Sequence, residues 1–203
     1  MLFILCSRTE FDRKKSKWLR SDYSSIAGKH SPGANGTIHV FAAIADGKVM
    51  AWLTYTRWSG ATYVRMLRAL RRNILRRWPT RLQCILCHDQ DPTGFLSKKG
   101  KRAEAHLGFD PLVLSVRSPE LMPLDYSFWH AVLAKMQATE NARPAGWKES
   151  VPDYKTRLHN TAKSLTAAYV NSILGQMPAR CAKLVASNGG HIEESGTKRT
   201  GER

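Results

Sequence analysis

The sequence predicts an α/β fold, a mixed sheet with helices on its flanks, and three observations carry that prediction. Thr37 to Ile44 and Lys48 to Tyr55 read as two strands joined by Asp46-Gly47, a hairpin turn signal that makes them antiparallel neighbours. Ala61 to Trp78 carries Val64, Leu67, Leu70, Ile74 and Trp78 on one stripe at helical spacing, and Pro79 closes it. Downstream, strand and helix candidates alternate, the order expected when helices carry the chain back to one sheet.

Taken in order, the first 36 residues hold a short apolar strand candidate, Leu2 to Cys6, then the basic cluster Arg13-Lys14-Lys15-Ser16-Lys17 and the turn-rich Ser31 to Gly36. Leu82 to Cys87 reads as a third strand, expected at the centre of the sheet. Ser97 to Leu107 reads as a short helix and Pro111 to Val116 as a fourth strand. Pro123 to Ala138 is predicted helical, with Leu124, Phe128, Val132 and Met136 spaced by four. Beyond Pro144, Asp153 to Leu174 and Pro178 to Ser187 read as two further helices, and the polar tail from Gly189 as frayed.

The 203 residues fit one domain plus an appendage. A hydrophobic share of 42% permits a packed core and argues against wholesale disorder. Lys and Arg outnumber Asp and Glu by 32 to 16, and the resulting charge of +16 favours a polyanionic partner, nucleic acid above all. Arg65, Arg68, Arg72 and Arg76 line one face of the first helix, either as a solvated face or as a surface that tracks phosphates. No run reaches the roughly 18 apolar residues of a membrane span, and Met1 to Cys6 lacks the marks of a signal peptide, so a soluble intracellular protein is expected. Four cysteines are too few and too scattered for a disulfide framework. Cys84 to His88 matches the C-x-x-C-H form of haem attachment, but it lies in an apolar run that reads as a buried strand, and no second Cys/His pair completes a zinc site.

Two acids stand at positions suited to chemistry. Asp89 falls at the carboxyl end of the third strand, where α/β sheets present groups to a ligand. Asp125 falls in the first turn of the helix after the fourth strand, where the helix dipole favours a carboxylate. They are 36 positions apart, enough chain to leave the sheet and return beside the first acid. Two carboxylates held together repel unless a cation lies between them, and hard oxygen ligands suit Mg2+ or Mn2+. On spacing alone, a loop cap at Asp89 and a helix cap at Asp125 are equally good readings.

The residues around these acids resemble a known family. His88-Asp89-Gln90-Asp91-Pro92-Thr93-Gly94-Phe95, followed by Ser97-Lys98-Lys99-Gly100, is similar to the second-acid segment of mariner-superfamily (DDE/D) transposases, in particular a eukaryotic branch. Arg117-Ser118-Pro119-Glu120-Leu121-Met122-Pro123-Leu124-Asp125-Tyr126-Ser127-Phe128-Trp129 is similar to their third-acid segment, and the two come in the right order. Ser31-Pro32-Gly33-Ala34, Arg57-Trp58-Ser59-Gly60-Ala61 and Lys155-Thr156-Arg157-Leu158 also look like that branch. The resemblance covers residues 31 to 195 or so. Gln90 stands where the family commonly has Asn.

That resemblance implies a ribonuclease H-like mixed sheet with flanking helices and a C-terminal helical appendage. It divides the chain into a basic N-terminal segment (1–36) with a candidate first strand, a catalytic domain (37–140), and an appendage with a polar tail (141–203). It implies DNA as partner, a nuclear location, a homodimer as a candidate assembly, and cleavage and transfer of DNA strands by two-metal phosphoryl transfer with Mg2+ or Mn2+. Asp89 and Asp125 become the second and third members of an acidic triad that holds the metal ions, with Asp91 the runner-up at the second position. The first acid precedes the hairpin in the family, often in a D-x-K triplet. Asp12-Arg13-Lys14 matches that triplet, so Asp12 is the candidate first acid and metal ligand, with Glu10 behind it. The family's DNA-reading helix-turn-helix units are not seen ahead of the first strand, so the chain looks like a truncated or degenerate copy, or a fragment of a longer product. Activity is left open, and a non-catalytic nucleic-acid-binding relic is the alternative.

Overall fold

The computed structural model describes residues 2–12, 37–80, 83–115, 118–144, 147, 149–189 and 192. The basic cluster at 13–17, the turn-rich stretch at 31–36 and most of the tail from Gly189 lie outside them.

Five strands form one mixed sheet: β1 (Leu2–Asp12), β2 (Thr37–Ala45), β3 (Lys48–Tyr55), β4 (Cys84–His88) and β5 (Phe109–Val113). Their order is β3-β2-β1-β4-β5; β1, β2 and β3 pair antiparallel, and β4 joins β1 and β5 in parallel. The central strand is therefore β1, and the Cys84–His88 segment expected at the centre lies one place over. β1 also runs six residues past the predicted Cys6, because pairing with β2 carries it through the polar Ser7 to Asp12. β5 contains Pro111, which has no N–H for a further neighbour and is tolerated because this strand is the sheet's edge.

The hairpin turn uses Asp46 and Gly47 at positive φ (47° and 71°), as a two-residue turn between twisted strands requires. Gly47 is also held by space, since a Cβ there would lie 2.9 Å from the Cβ of Ala167.

One face of the sheet is covered by α1 (Gly60–Arg77) and α2 (Lys98–His106). Each begins at a serine whose hydroxyl accepts a backbone N–H, Ser59 from Thr62 at 3.2 Å and Ser97 from Gly100 at 3.0 Å. Tyr63, Met66, Leu67, Leu70 and Ile74 of α1 pack on Ile4, Cys6, Phe41 and Leu86. The other face is covered by α3 (Trp129–Asn141), α4 (Val151–Lys163) and α5 (Ala167–Gly175), with α6 (Met177–Ala186) at its margin. The single helix expected from Asp153 to Leu174 is broken at Ser164, and Thr166 caps a new one by accepting from the N–H of Tyr169. Tyr154, Leu158, Ala162, Val170 and Ile173 share one core with Leu5, Val40 and Phe128 of the sheet side. The C-terminal helical region thus packs on the core through α4 and α5, while α6 buries no residue.

Cys84 and Cys87 are buried strand residues in two different core clusters, on opposite faces of the sheet. Burial pushes the Cys87 thiol up to about 12, which keeps it an unreactive apolar group. No helix among the described residues is long and apolar enough to cross a membrane.

Candidate functional site

β4 ends at His88, so the chain turns outward at Asp89 and exposes its carboxylate. That turn is tightly built. The N–H of Asp91 donates to Asp89 Oδ1 at 3.0 Å, and the Asp91 side chain accepts from the Gly94 N–H at 2.7 Å, Trp58 Nε1 at 2.6 Å and Arg8 Nη2 at 3.0 Å. Asp91, the runner-up acid, is therefore spent as the hub of the loop, with a side chain only 7% exposed. Trp58 covers Gly94 so closely that a Cβ at residue 94 would enter its ring. Phe95 fills the pocket beneath, 4.8 Å from both Tyr63 and His88 between ring centres.

His88 anchors Asp89 from below. Its Nδ1 lies 2.7 Å from the Asp89 carbonyl oxygen, and its Nε2 lies 3.2 Å from Oε1 of Glu104. The same oxygen of Glu104 accepts from Tyr63 Oη at 2.6 Å, so α1, α2 and β4 meet at one buried carboxylate.

Asp125 arrives from the other side. The chain passes through a short 3-10 turn, Pro119–Leu121, and then a π-helical turn, Leu124–Phe128, that opens into α3. Here the continuous helix expected from Pro123 is wider in its first turn. Leu121, Met122, Leu124, Phe128 and Trp129 are buried around it. Tyr126 donates to the Ile173 carbonyl at 2.5 Å, and the Ser127 and Tyr169 hydroxyls lie 2.8 Å apart, so α5 braces the turn. Arg180 of α6 sits 3.9 Å over the Tyr126 ring and donates from Nε to the Glu120 carbonyl oxygen, which fixes the approach to the turn.

Asp125 is pushed up to about 6, chiefly by burial; the hydrogen bond from Ser7 opposes this, and the charge of Asp89 adds to it. The charge of Asp89 is thus felt at Asp125. The third group at the pair is Ser7, whose hydroxyl donates to Asp125 Oδ1 at 2.6 Å. Register accounts for its place: Leu5 of β1 is opposite Cys87 of β4, so Ser7 and Asp89 are each two residues further on.

Asp12 is elsewhere. It ends β1 opposite Thr37, five residues beyond Ser7, or about 16 Å along the strand. Glu10 is exposed, and its carboxylate pairs with His39 Nδ1 at 3.1 Å. Ser7 was missed in the sequence, where its only signal is a small polar residue within the run Leu2 to Cys6 extended by Arg8 and Thr9.

Two carboxylates with a hydroxyl between strand and helix are hard oxygen donors that fit a single divalent cation. Among the described residues no group of three or more His, Cys, Asp or Glu side chains able to hold a metal occurs.

No protein-family profile and no curated protein matches this sequence. Solved structures do. The catalytic domain of Mos1 mariner transposase superposes with a TM-score of 0.70 at 17% identity, over 94% of this chain and 84% of that one. The Mos1 transposase paired-end complex with left transposon end gives 0.71 at 20%, over 94% of this chain and 56% of that one. The same catalytic domain with raltegravir and Mg gives 0.70 at 18%. The chain spans most of the isolated Mos1 domain and a little over half of the longer Mos1 chain. This protein has the ribonuclease H-like fold of the mariner transposase catalytic domain.

Proposed function

We propose that this chain is a DNA-acting domain of transposase type that binds DNA and one divalent cation, Mg2+ or Mn2+, at Asp89 and Asp125, and that Ser7 deprives it of two-metal strand cleavage. The observation that carries this reading is the Ser7 to Asp125 hydrogen bond, which puts a hydroxyl on the strand position facing the acid pair. A divalent cation there would offset the repulsion between the two carboxylates and draw a phosphate oxygen to the site. Asp89, exposed and held by its backbone, presents the open side; Asp125, half-buried on a turn braced by α5, supplies the fixed one. Ser7 contributes a neutral oxygen where an acid would add a bridging charge. The net charge of +16 supports a polyanionic partner. A nuclear location and a homodimer belong to this reading as expectations.

The runner-up is a transposase active in DNA strand cleavage and transfer, with Asp12 as first acid and metal ligand. Plasmid nicking with Mg2+ or Mn2+ separates the two. The wild type is expected to bind DNA and leave the plasmid intact, and Ser7→Asp to bind Mn2+ more tightly by titration calorimetry and to nick. Nicking by the wild type that Asp12→Ala abolishes would establish the runner-up instead.

A further inference from the structure

Away from the acid pair, a groove of about 730 Å3 runs between α1 and α2 on the opposite face of the sheet. Arg68 lines it from α1, and Lys98, Lys99, Arg102 and His106 line it from α2. Arg68, Lys98, Lys99 and Arg102 are exposed, and none of them is ion-paired with a described carboxylate. The helices give them no internal neutralisation either. α1 carries six arginines and no acid, and α2 carries four lysines or arginines and one acid, Glu104, which is buried inward against Tyr63 and His88. In a second recess, lined by Arg143, Glu149, Asp153 and Arg157, the central Arg157 is already held by Glu140 and Glu149 at 2.7 Å.

We propose that the α1/α2 groove is a second nucleic-acid contact, a seat for the phosphodiester backbone of a duplex beyond the segment held at Asp89 and Asp125. The assignment rests on the DNA reading above and adds a place and a mode to it. Place comes from continuity. The two helices start side by side, since a Cβ on Gly60 would lie 2.6 Å from Ser97 Oγ and 3.4 Å from Lys99 Cβ. Trp58, just before α1, holds Asp91, whose N–H is bonded to Asp89. The Ala61 and Lys98 end of the groove therefore lies beside the helix starts that flank the acid-bearing loop. Mode comes from the lining. Its floor is Ala61, Val64, Ala103 and Leu107, and His106 is the single ring in the lining, so successive bases of a single strand find no row of stacking platforms there. Exposed cations, Arg68 on α1 and Lys98, Lys99 and Arg102 on α2, instead fit the sequence-independent charge of a backbone.

The test is fluorescence anisotropy of a labelled mixed-sequence DNA duplex with the full chain in EDTA, over a series of salt concentrations. Lys98→Glu/Arg102→Glu is compared with Lys163→Glu/Lys183→Glu, which makes the same change in net charge on α4 and α6, and with wild type. The groove variant is expected to raise Kd by about tenfold or more and to flatten the slope of log K against log salt by about 2, while the control stays near wild type. Lys98→Gln/Arg102→Gln, which only neutralises, should give a smaller shift in the same direction. Circular dichroism checks that each variant is folded. A groove variant indistinguishable from the control overturns the groove and leaves the DNA reading standing. A wild type that binds no duplex at low salt overturns both. Tighter binding of poly-glutamate than of duplex, lost in the groove variant, overturns the nucleic-acid assignment in favour of an acidic protein segment.

Discussion

On one side of the sheet, α1 and α2 bury an aromatic and aliphatic layer and turn arginine and lysine outward. On the other, α3, α4 and α5 bury a layer of similar make-up, and what reaches the site from that side is a carboxylate with a raised affinity for protons. The difference lies in how the chain enters each layer. α1 and α2 start at serine caps beside the site and lead away from it, so their outer faces are free to carry charge. The second layer enters through a π-helical turn wedged under α5, so its polar residues are used in fixing Asp125. A sheet with one layer specialised for attraction and the other for positioning meets two demands that conflict on a single surface, since cations that draw phosphate would also neutralise the acids.

The contrast breaks first if the positioning layer is not one core. Leu158→Ala, at a fully buried contact between α4 and the sheet side, is expected to cost about 2–5 kcal/mol in urea denaturation. A change below about 0.5 kcal/mol, the range of surface substitutions, would return α4 to the status of an appendage.

Next in size is the acid itself. Because the folded carboxyl of Asp125 is raised from an ordinary 3.8 to about 6, the unfolded chain gives up its proton first as pH rises. Its contribution to stability is therefore largest at low pH, declines through that window and stays lost above it. Asp125→Asn should remove this decline and leave the protein more stable by about 2–3 kcal/mol at neutral pH, at about 1.4 kcal/mol per pKa unit. Equal thermal melts of the two proteins at pH 4 and pH 7.5 would contradict it.

Smaller again is the joint between the layers. Glu104→Ala leaves the Tyr63 hydroxyl without its acceptor and should cost about 1–3 kcal/mol, with Glu104→Gln milder because an amide oxygen still accepts. Hydrogen exchange at the Asp89 to Gly94 amides should rise in the alanine variant; unchanged protection would show the loop to be held by Asp91 alone. At the far end of the charged layer, Arg77→Ala breaks the exposed pair with Asp46 at 2.7 Å and is expected to cost under about 1 kcal/mol by calorimetry.

The sequence by itself determined the elements whose signals are local. The Asp46-Gly47 turn, the α1 stripe and the two acid-bearing segments are legible because turn conformation and helical periodicity depend on a few consecutive residues. The tertiary structure decided what depends on register and on distant partners. Whether β1 stops at Cys6 or runs to Asp12 is settled by pairing with β2. Whether α4 and α5 hang free or enter the core is settled by Leu158 and Ile173 meeting residues more than a hundred positions away, such as Leu5 and Val40. The same holds for the site. The sequence ranks Asp89 ahead of Asp91, and the convergence of Arg8, Trp58 and Gly94 on Asp91 makes it a hub and leaves Asp89 exposed. Asp12 and Ser7 differ by five positions on one strand, and a D-x-K triplet says nothing about which of them faces Asp125. That choice belongs to the parallel register of β1 on β4, fixed by side chains on both faces of the sheet at once.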